Sequence, residues 1–269
     1  MKRLSKQELG LIKELNNKGL SLRVIQEKTS IPLSTIQYNL NKNKTTKRIK
    51  SIKLPSSDFL IGELIGAFAG DGCYYHDKNG RSSKHFIRYT LAYKEKDYAQ
   101  HLVSILKNMG LNVGVYSSDY KGEPSSIEIR TSSLRLLEFI KNYLCLNNKK
   151  TYSIRLLRDI KNYSANFLLG FARGLMDTDG FVETHNVACG VVSKELIKNL
   201  QEIFLKMEIT SKLTVQKRGG TRKDLYLLRV PKKGLEDYYN KVGFSNPLKR
   251  EALLSIIKKT GVPRFELGS

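Results

Sequence analysis

FLIGELIGAFAGDG at residues 59–72 and FLLGFARGLMDTDG at residues 167–180 are two versions of one phrase. In each, a phenylalanine leads an aspartate by 12 residues, Phe59 to Asp71 and Phe167 to Asp179. Small residues recur at every fourth position: Gly62, Gly66 and Gly70 in the first copy, Gly170, Gly174 and Thr178 in the second. That spacing puts them on one side of a helix. Glycine inside a helix costs about 1 kcal/mol relative to alanine. Close backbone approach of one helix to the other gives a reason to bear that cost. Gly62, Gly66, Gly170 and Gly174 are therefore expected at a helix–helix interface. The other faces (Leu60, Ile61, Leu64, Ile65, Phe68; Leu168, Leu169, Phe171, Leu175, Met176) are apolar and should enter each copy's own core.

The likeness continues on both sides of the phrase. Upstream lie Ser51-Ile52-Lys53-Leu54 and Ser153-Ile154-Arg155-Leu156. Downstream, LVSILKNMGLNVGVY (102–116) parallels LQEIFLKMEITSKLTV (200–215), each an amphipathic helix, a break and an alternating strand. Ile129-Arg130 and Leu228-Arg229 close later strands, and Lys150 and Lys249 each follow their arginine by 20 residues. One unit of helix, strands, helix, strands and helix thus occurs twice, an α+β chain built from an internal repeat.

Each phrase ends in Asp-Gly. The glycine suits a left-handed helix cap. The aspartate is misplaced for stability, because a helix C-terminus already carries partial negative charge. If the helices pack in parallel, Asp71 and Asp179 also come together. Two carboxylates beside unsatisfied carbonyls make a poor structural feature and a good site for a hard divalent cation. Such a cation can be held against phosphate and can activate water.

LIGAFAGDG (64–72) and ARGLMDTDG (172–180) resemble the signature of the LAGLIDADG homing endonucleases in their single-chain, two-motif form. The resemblance covers residues 59 to about 255. It implies an αββαββα fold in each half, pseudo-twofold symmetry, and saddle-shaped sheets lying in the DNA major groove. It implies cutting of both strands with Mg²⁺, for which Mn²⁺ can substitute. It carries the metal-binding acids onto Asp71 and Asp179, with backbone carbonyls from Gly70 and Thr178. Basic residues near the end of each repeat, which polarise water or stabilise charge, fall on Lys150 and Lys249, with Lys149 and Arg250 beside them. A polar residue at the end of the second strand falls on Lys94, against Val192-Ser193-Lys194 in the other copy. Asp177 has only Ala69 as its counterpart, so that position receives no catalytic role.

Alternation in the strands separates core-facing from groove-facing residues. Ile87, Tyr89 and Leu91 suit the core and turn Arg88 and Thr90 outward. Ile127 and Ile129 do the same for Ser126, Glu128 and Arg130. Leu213 and Val215 go inward, leaving Thr214, Gln216 and Arg218. Arg, Gln and Thr read base edges, whereas the loop KRGGTRK (217–223), with Arg222, suits phosphates.

Composition agrees with a polyanionic partner. The 269 residues hold 47 Lys+Arg against 25 Asp+Glu, a net charge of +22. Each cation on a phosphate releases counterions. No stretch reaches the roughly 18–20 apolar residues of a membrane span. Cys73, Cys145 and Cys189 form no CxxC pair, which fits a reducing, intracellular setting rather than a zinc ribbon or disulfide framework. The four histidines have no metal-ligand spacing, and no GxxxxGK[ST] loop is present.

Residues 1–53 carry 13 Lys+Arg and 3 Asp+Glu. They read as three short helices: a capping box at Ser5 and Glu8, a break at Gly19, a second helix after Ser21, a turn through Ser30-Ile31-Pro32, and a third from near Ser34. The last two resemble a helix-turn-helix with Ser34, Thr35, Gln37, Tyr38 and Asn39 outward; Thr35 and Gln37 are the candidate DNA contacts. The expected division is a helix-turn-helix at 1–45, a linker at 46–56, repeats at 57–160 and 161–260, and a tail at 261–269. The expected partner is double-stranded DNA bound by a monomer. A DNA-binding transcription regulator on the same scaffold and a maturase acting on intron RNA are the alternatives; the regulator reading predicts loss of the acids, and both are present.

Overall fold

A computed structural model describes residues 4–42, 51–76, 85–146, 150–220 and 222–259. Residues 46–50 of the expected linker, the tail and Lys149 lie outside the described residues. The chain divides into two compact units, Met1–Ser51 and Ile52–Ser269.

The first unit is three helices: α1 (Lys6–Asn17), α2 (Leu22–Thr29) and α3 (Leu33–Lys42). Ser5 caps α1, accepting from the Glu8 amide while Glu8 returns to the Ser5 amide. Gly19 follows α1 with φ +78°, and Ser21 caps α2. Ile12, Ile25, Ile31 and Ile36 meet in a small core of their own.

The second unit begins with α4 (Asp58–Gly70), then β1 (Gly72–His76), β2 (His85–Ala92), α5 (Lys96–Asn108), β3 (Gly114–Tyr120), β4 (Glu123–Thr131) and α6 (Leu134–Lys141). A connection of β5 (Leu144–Cys145), α7 (Lys150–Ser153) and β6 (Arg155–Leu156) leads to the second copy. That copy is α8 (Ala165–Asp179), β7 (Gly180–Val182), β8 (Asn186–Val191), α9 (Lys194–Lys206), β9 (Lys212–Gln216), β10 (Leu225–Pro231) and α10 (Leu235–Lys241), followed by α11 (Pro247–Lys259). Both copies are αββαββα. Their sheets have matching antiparallel orders, β1-β2-β4-β3 and β7-β8-β10-β9.

Serines start the main helices by accepting from amides three residues on: Ser57 for α4, Ser133 for α6, Ser164 for α8 and Ser193 for α9. Helices cover one face of each sheet. Ile87, Tyr89, Leu91, Ile127 and Ile129 are buried on that face as expected, joined by Val187, Cys189, Leu228 and Val230. One core runs through both copies because α4 and α8 pack side by side. Fully burying a side chain such as Leu64, Phe68, Phe171 or Leu175 contributes about 1.5–3 kcal/mol.

Val215 departs from the alternation. It pairs with Tyr226 on the core-side face but is 48% exposed. Val115, opposite the buried Ile129, is 50% exposed in the same way. Both sit on edge strands, β3 and β9, so the face is right and the cover is missing.

Among the described residues, no helix is long and apolar enough to cross a membrane. No disulfide joins Cys73, Cys145 and Cys189.

Candidate active site at the paired helix ends

The two phrase helices run in the same direction. At their N-termini, Ser164 donates to Asp58 Oδ2 at 2.7 Å. Along their length the glycines meet the opposite backbone. A Cβ on Gly62 would fall on the Phe167 carbonyl and 2.7 Å from the Phe171 amide; one on Gly66 would fall on the Phe171 carbonyl. Gly170 and Gly174 meet the carbonyls of Phe59 and Glu63 in return. At the C-terminal end a Cβ on Gly70 would lie 2.9 Å from Thr178 Cβ and 3.0 Å from Asp179 Oδ2. This contact sets the Asp179 carboxylate beside the last turn of α4.

Asp71 caps α4 and Asp179 is the last residue of α8. Both are half-buried. Burial raises the Asp71 carboxyl to about 6, and the nearby Glu95 charge adds to that against the opposing pull of Lys249 and Lys150. Burial raises Asp179 to about 7, helped by the charge of Asp71. The glycines that follow are not left-handed caps. Neither Gly72 nor Gly180 has positive φ, and both open strands. Glycine is needed there because a Cβ on Gly72 would lie 2.6 Å from Phe68 Cα, and one on Gly180 2.9 Å from Met176 Cα. The chain turns back too tightly for a side chain.

Lys150 and Lys249 converge on the same helix ends. Lys150 Nζ donates to the carbonyls of Phe68 (2.6 Å), Gly70 (3.1 Å) and Gly72, and lies 4.9 Å from the Phe68 ring centroid. Lys249 Nζ donates to the carbonyls of Asp177 (2.5 Å) and Thr178 (3.0 Å) and reaches that of Met176 at 3.5 Å. Each lysine thus binds carbonyls that a helix end leaves without intrahelical partners. The Gly70 and Thr178 carbonyls, expected to face a metal, are engaged by lysine. Burial lowers Lys150 to about 8. Lys249→Met is expected to leave two buried carbonyls and Glu95 without their cation and to cost about 1–3 kcal/mol in urea unfolding. Unchanged stability would show that these bonds contribute nothing.

The sequence reading missed Glu95. It sits in a 3₁₀ turn after β2, with Oε2 accepting from the Ala92 amide at 3.3 Å and Oε1 accepting from Asn246 Nδ2 at 2.8 Å. Lys249 Nζ lies 3.6 Å from its Oε1. A carboxylate of the first repeat therefore holds the lysine of the second. Lys94, the residue chosen instead, is exposed. Ser193, near the matching place in the second copy, is occupied in capping α9 and donating to the Ile154 carbonyl. Asp177 is buried and accepts from the Ser245 and Asn246 amides, which fixes the start of the helix that carries Lys249.

The other expected contacts are dispersed over the open sheet faces. Thr90, Gln216, Arg218 and Arg222 are exposed. Arg88 and Arg130 both pair with Glu128. Thr214 accepts from Arg229 Nη1 at 3.0 Å, which brings Arg229, absent from the expected readers, onto the same face. In the helical unit Gln37 is exposed, whereas Thr35, expected outward, is half-buried and its carbonyl accepts from Asn39.

A hard divalent cation fits what is present. The two half-buried carboxylates sit at raised pKa values because nothing fully offsets their burial and mutual repulsion. Among the described residues, no three His, Cys, Asp or Glu side chains are grouped to hold a metal. Asp71 and Asp179 alone would therefore supply the side-chain ligands. That sparse set suits Mg²⁺, which keeps waters and takes ligands from phosphate.

The model of the LAGLIDADG-like domain matches residues 58–143 and 166–243, and the chain belongs to that family. An uncharacterized protein of Methanocaldococcus jannaschii is 24% identical, over 96% of this chain and 97% of its own. Among solved structures, I-DmoI in complex with DNA and Ca superposes with a TM-score of 0.55 at 16% identity, covering 74% of this chain and 98% of its own. Full-length DUF199/WhiA from Thermatoga maritima gives 0.50 at 14% identity, covering 81% and 66%.

Proposed function

We propose that this chain is a site-specific DNA endonuclease that cuts both strands with a divalent cation. The observation that carries the reading is the Asp71–Asp179 pair, one acid from each repeat, delivered to one place by helices packed backbone to backbone. Mg²⁺, or Mn²⁺ in its place, would be held by these two carboxylates and would activate water and stabilise charge on the scissile phosphate. Lys150 and Lys249 fix the helix ends and set positive charge next to the acids. The Gly70 and Thr178 carbonyls accept from the lysines and each keeps a second lone pair that a cation would take. A similar scaffold, I-DmoI, was solved with DNA and Ca. Both acids belong to one chain, which supports action as a monomer. The excess positive charge and the open sheet faces support duplex DNA as the partner, and the helical unit, with Ser34, Gln37 and Tyr38 exposed on α3, supports a second DNA contact. Residues 1–45 and the repeats at 57–160 and 161–260 are proposed as the working divisions.

The test is cleavage of a plasmid library of long random inserts. Linear product in Mg²⁺ and none in EDTA is expected. Specific binding without cutting in any divalent cation would favour a regulator. Assistance to intron splicing that survives loss of both acids would favour a maturase.

A further inference from the structure

The open faces of the two sheets differ where their backbones match. Tyr89 faces Gly72 and Ile129 in the first sheet, and Cys189 faces Gly180 and Leu228 in the second. Stepping one residue along each strand from these anchors gives the equivalences. Arg88 stands where Ala188 stands, Arg130 where Arg229 stands, Thr90 where Gly190 stands, and Glu128 where Leu227 stands. All lie on the face away from the helices. The inference rests on the endonuclease reading, which lays this face against DNA.

On the first sheet, Arg88 and Arg130 face each other across neighbouring strands. Glu128 stands between them, with Oε2 3.2 Å from Arg88 Nη1 and Oε1 against Arg130 Nε. Arg88 Nε also donates to Cys73 Sγ at 3.1 Å. The Arg130 guanidinium lies 5.2 Å from the Phe86 ring centroid and 4.9 Å from that of Tyr116, and Phe86 stacks on Tyr75. Both forks are held before any ligand arrives, yet their side chains keep 38% and 42% exposure. A fixed guanidinium fork matches O6 and N7 of guanine in the major groove.

The second sheet keeps only one of these arginines. Arg229 is fixed by Thr214 and by Glu183, whose Oε2 lies 3.5 Å from its Nε. Its facing partner is Ala188, and the next row is Gly190 and Leu227. A Cβ on Gly190 would lie 2.9 Å from Leu227 Cδ2 and 3.6 Å from Leu225 Cδ2, so the leucines fold over bare backbone. Leu227 is buried, with 7% exposure, and half-buried Leu225 is the more accessible of the two. The Thr214 hydroxyl beside it is occupied by Arg229. The leucines offer base edges methyl groups, and the donors beside them are exposed Gln216, opposite Leu225, and exposed Lys212, opposite Arg229. In the major groove the apolar feature is the 5-methyl of thymine.

We propose that the half of the DNA target under the first repeat carries two neighbouring guanines read by Arg88 and Arg130, and that the half under the second carries one guanine read by Arg229 beside a thymine whose methyl meets the Leu225–Leu227–Gly190 strip. The experiment is selection of bound duplexes from a randomised pool by the full-length chain in Ca²⁺, followed by sequencing. Guanine is expected in both halves, a second guanine in one, and thymine in the other. Arg88→Ala and Arg130→Ala should each lower discrimination in the first half alone, by roughly tenfold or more, and Arg229→Ala in the second alone. Arg130→Lys keeps the charge and loses the fork, so it should retain affinity and lose the guanine preference. Leu227→Asn should remove the thymine preference. Identical preferences in the two halves overturn the proposal, as does an arginine variant that relaxes both halves or neither. A pool in which no duplex is enriched overturns the duplex-DNA reading itself, and this proposal with it.

Discussion

Asp71→Asn and Asp179→Asn are each expected to abolish double-strand cleavage while raising the melting temperature of the metal-free protein. The loss of cleavage should reach at least the order of a thousandfold, because a metal ligand at the reacting phosphate supplies several kcal/mol of charge stabilisation. The gain in stability follows from the same carboxylates. Their folded pKa values, about 6 for Asp71 and about 7 for Asp179, lie above those of an unfolded aspartate. The folded state then binds more protons than the unfolded one between about pH 4 and pH 7, so stability falls as pH rises through that window. Above it the full cost of two ionised, half-buried acids is present. Asparagine removes the charge and keeps the shape. Each variant should therefore gain more in thermal unfolding at pH 8 than at pH 5. Mg²⁺ should stabilise the parent chain at pH 8 and leave the double variant unmoved. Equal melting temperatures at both pH values, with no response to Mg²⁺, would remove the argument that these acids are held for a cation. A site that is least stable when empty is what selection for activity over stability leaves behind.

The repeat and its glycines were legible in the sequence because they follow from helix geometry alone. Small residues four apart mark a face, and two such faces in one chain predict their partner. Serine caps were legible for the same reason, since Ser5, Ser21 and the turn at Gly19 act locally. Alternation placed Ile87, Tyr89, Ile127 and Ile129 correctly, and failed at Val215 because a strand's place at the edge of its sheet is a tertiary fact. Glu95 was harder. The sequence does carry a signal: Lys94-Glu95 and Lys194-Glu195 occupy matching places after their second strands. The first copy inserts a 3₁₀ turn before its helix and aims Glu95 at Lys249, whereas in the second α9 starts at once and Glu195 turns to Lys198 in solvent. The lysines were found by counting from the repeat, but their carbonyl partners depend on where two helix ends finish in space. The Asp-Gly glycines were read correctly in type and wrongly in conformation, because both a left-handed cap and a tight reversal exclude a side chain.

Gly66→Ala and Gly174→Ala are expected to destabilise the second unit severely. Two effects oppose each other. Alanine is the better helix former by about 1 kcal/mol and would stabilise an isolated α4 or α8. Against that, the new methyl on Gly66 would overlap the Phe171 carbonyl and come within 2.9 Å of the Leu175 amide, and the one on Gly174 within 2.7 Å of the Ala67 amide. The obstacles are backbone atoms in the middle of helices, which cannot rotate away as a side-chain tip can. Relief requires the helices to part along their whole contact, and parting them opens the core on both sides at Leu64, Phe68, Phe171 and Leu175. Overpacking a rigid core costs about 1–3 kcal/mol when side chains can yield, so the cost here should meet or pass the upper end of that range. The midpoint of urea unfolding is the measurement. Gly10→Ala is the control, since a Cβ there meets nothing within 4 Å and lies within α1, where only propensity acts. Stabilisation at Gly10 with a large loss at Gly66 would separate the two effects. A gain at Gly66 would mean that the helices stand farther apart than the site requires. In that case Asp71 and Asp179 would no longer share one cation.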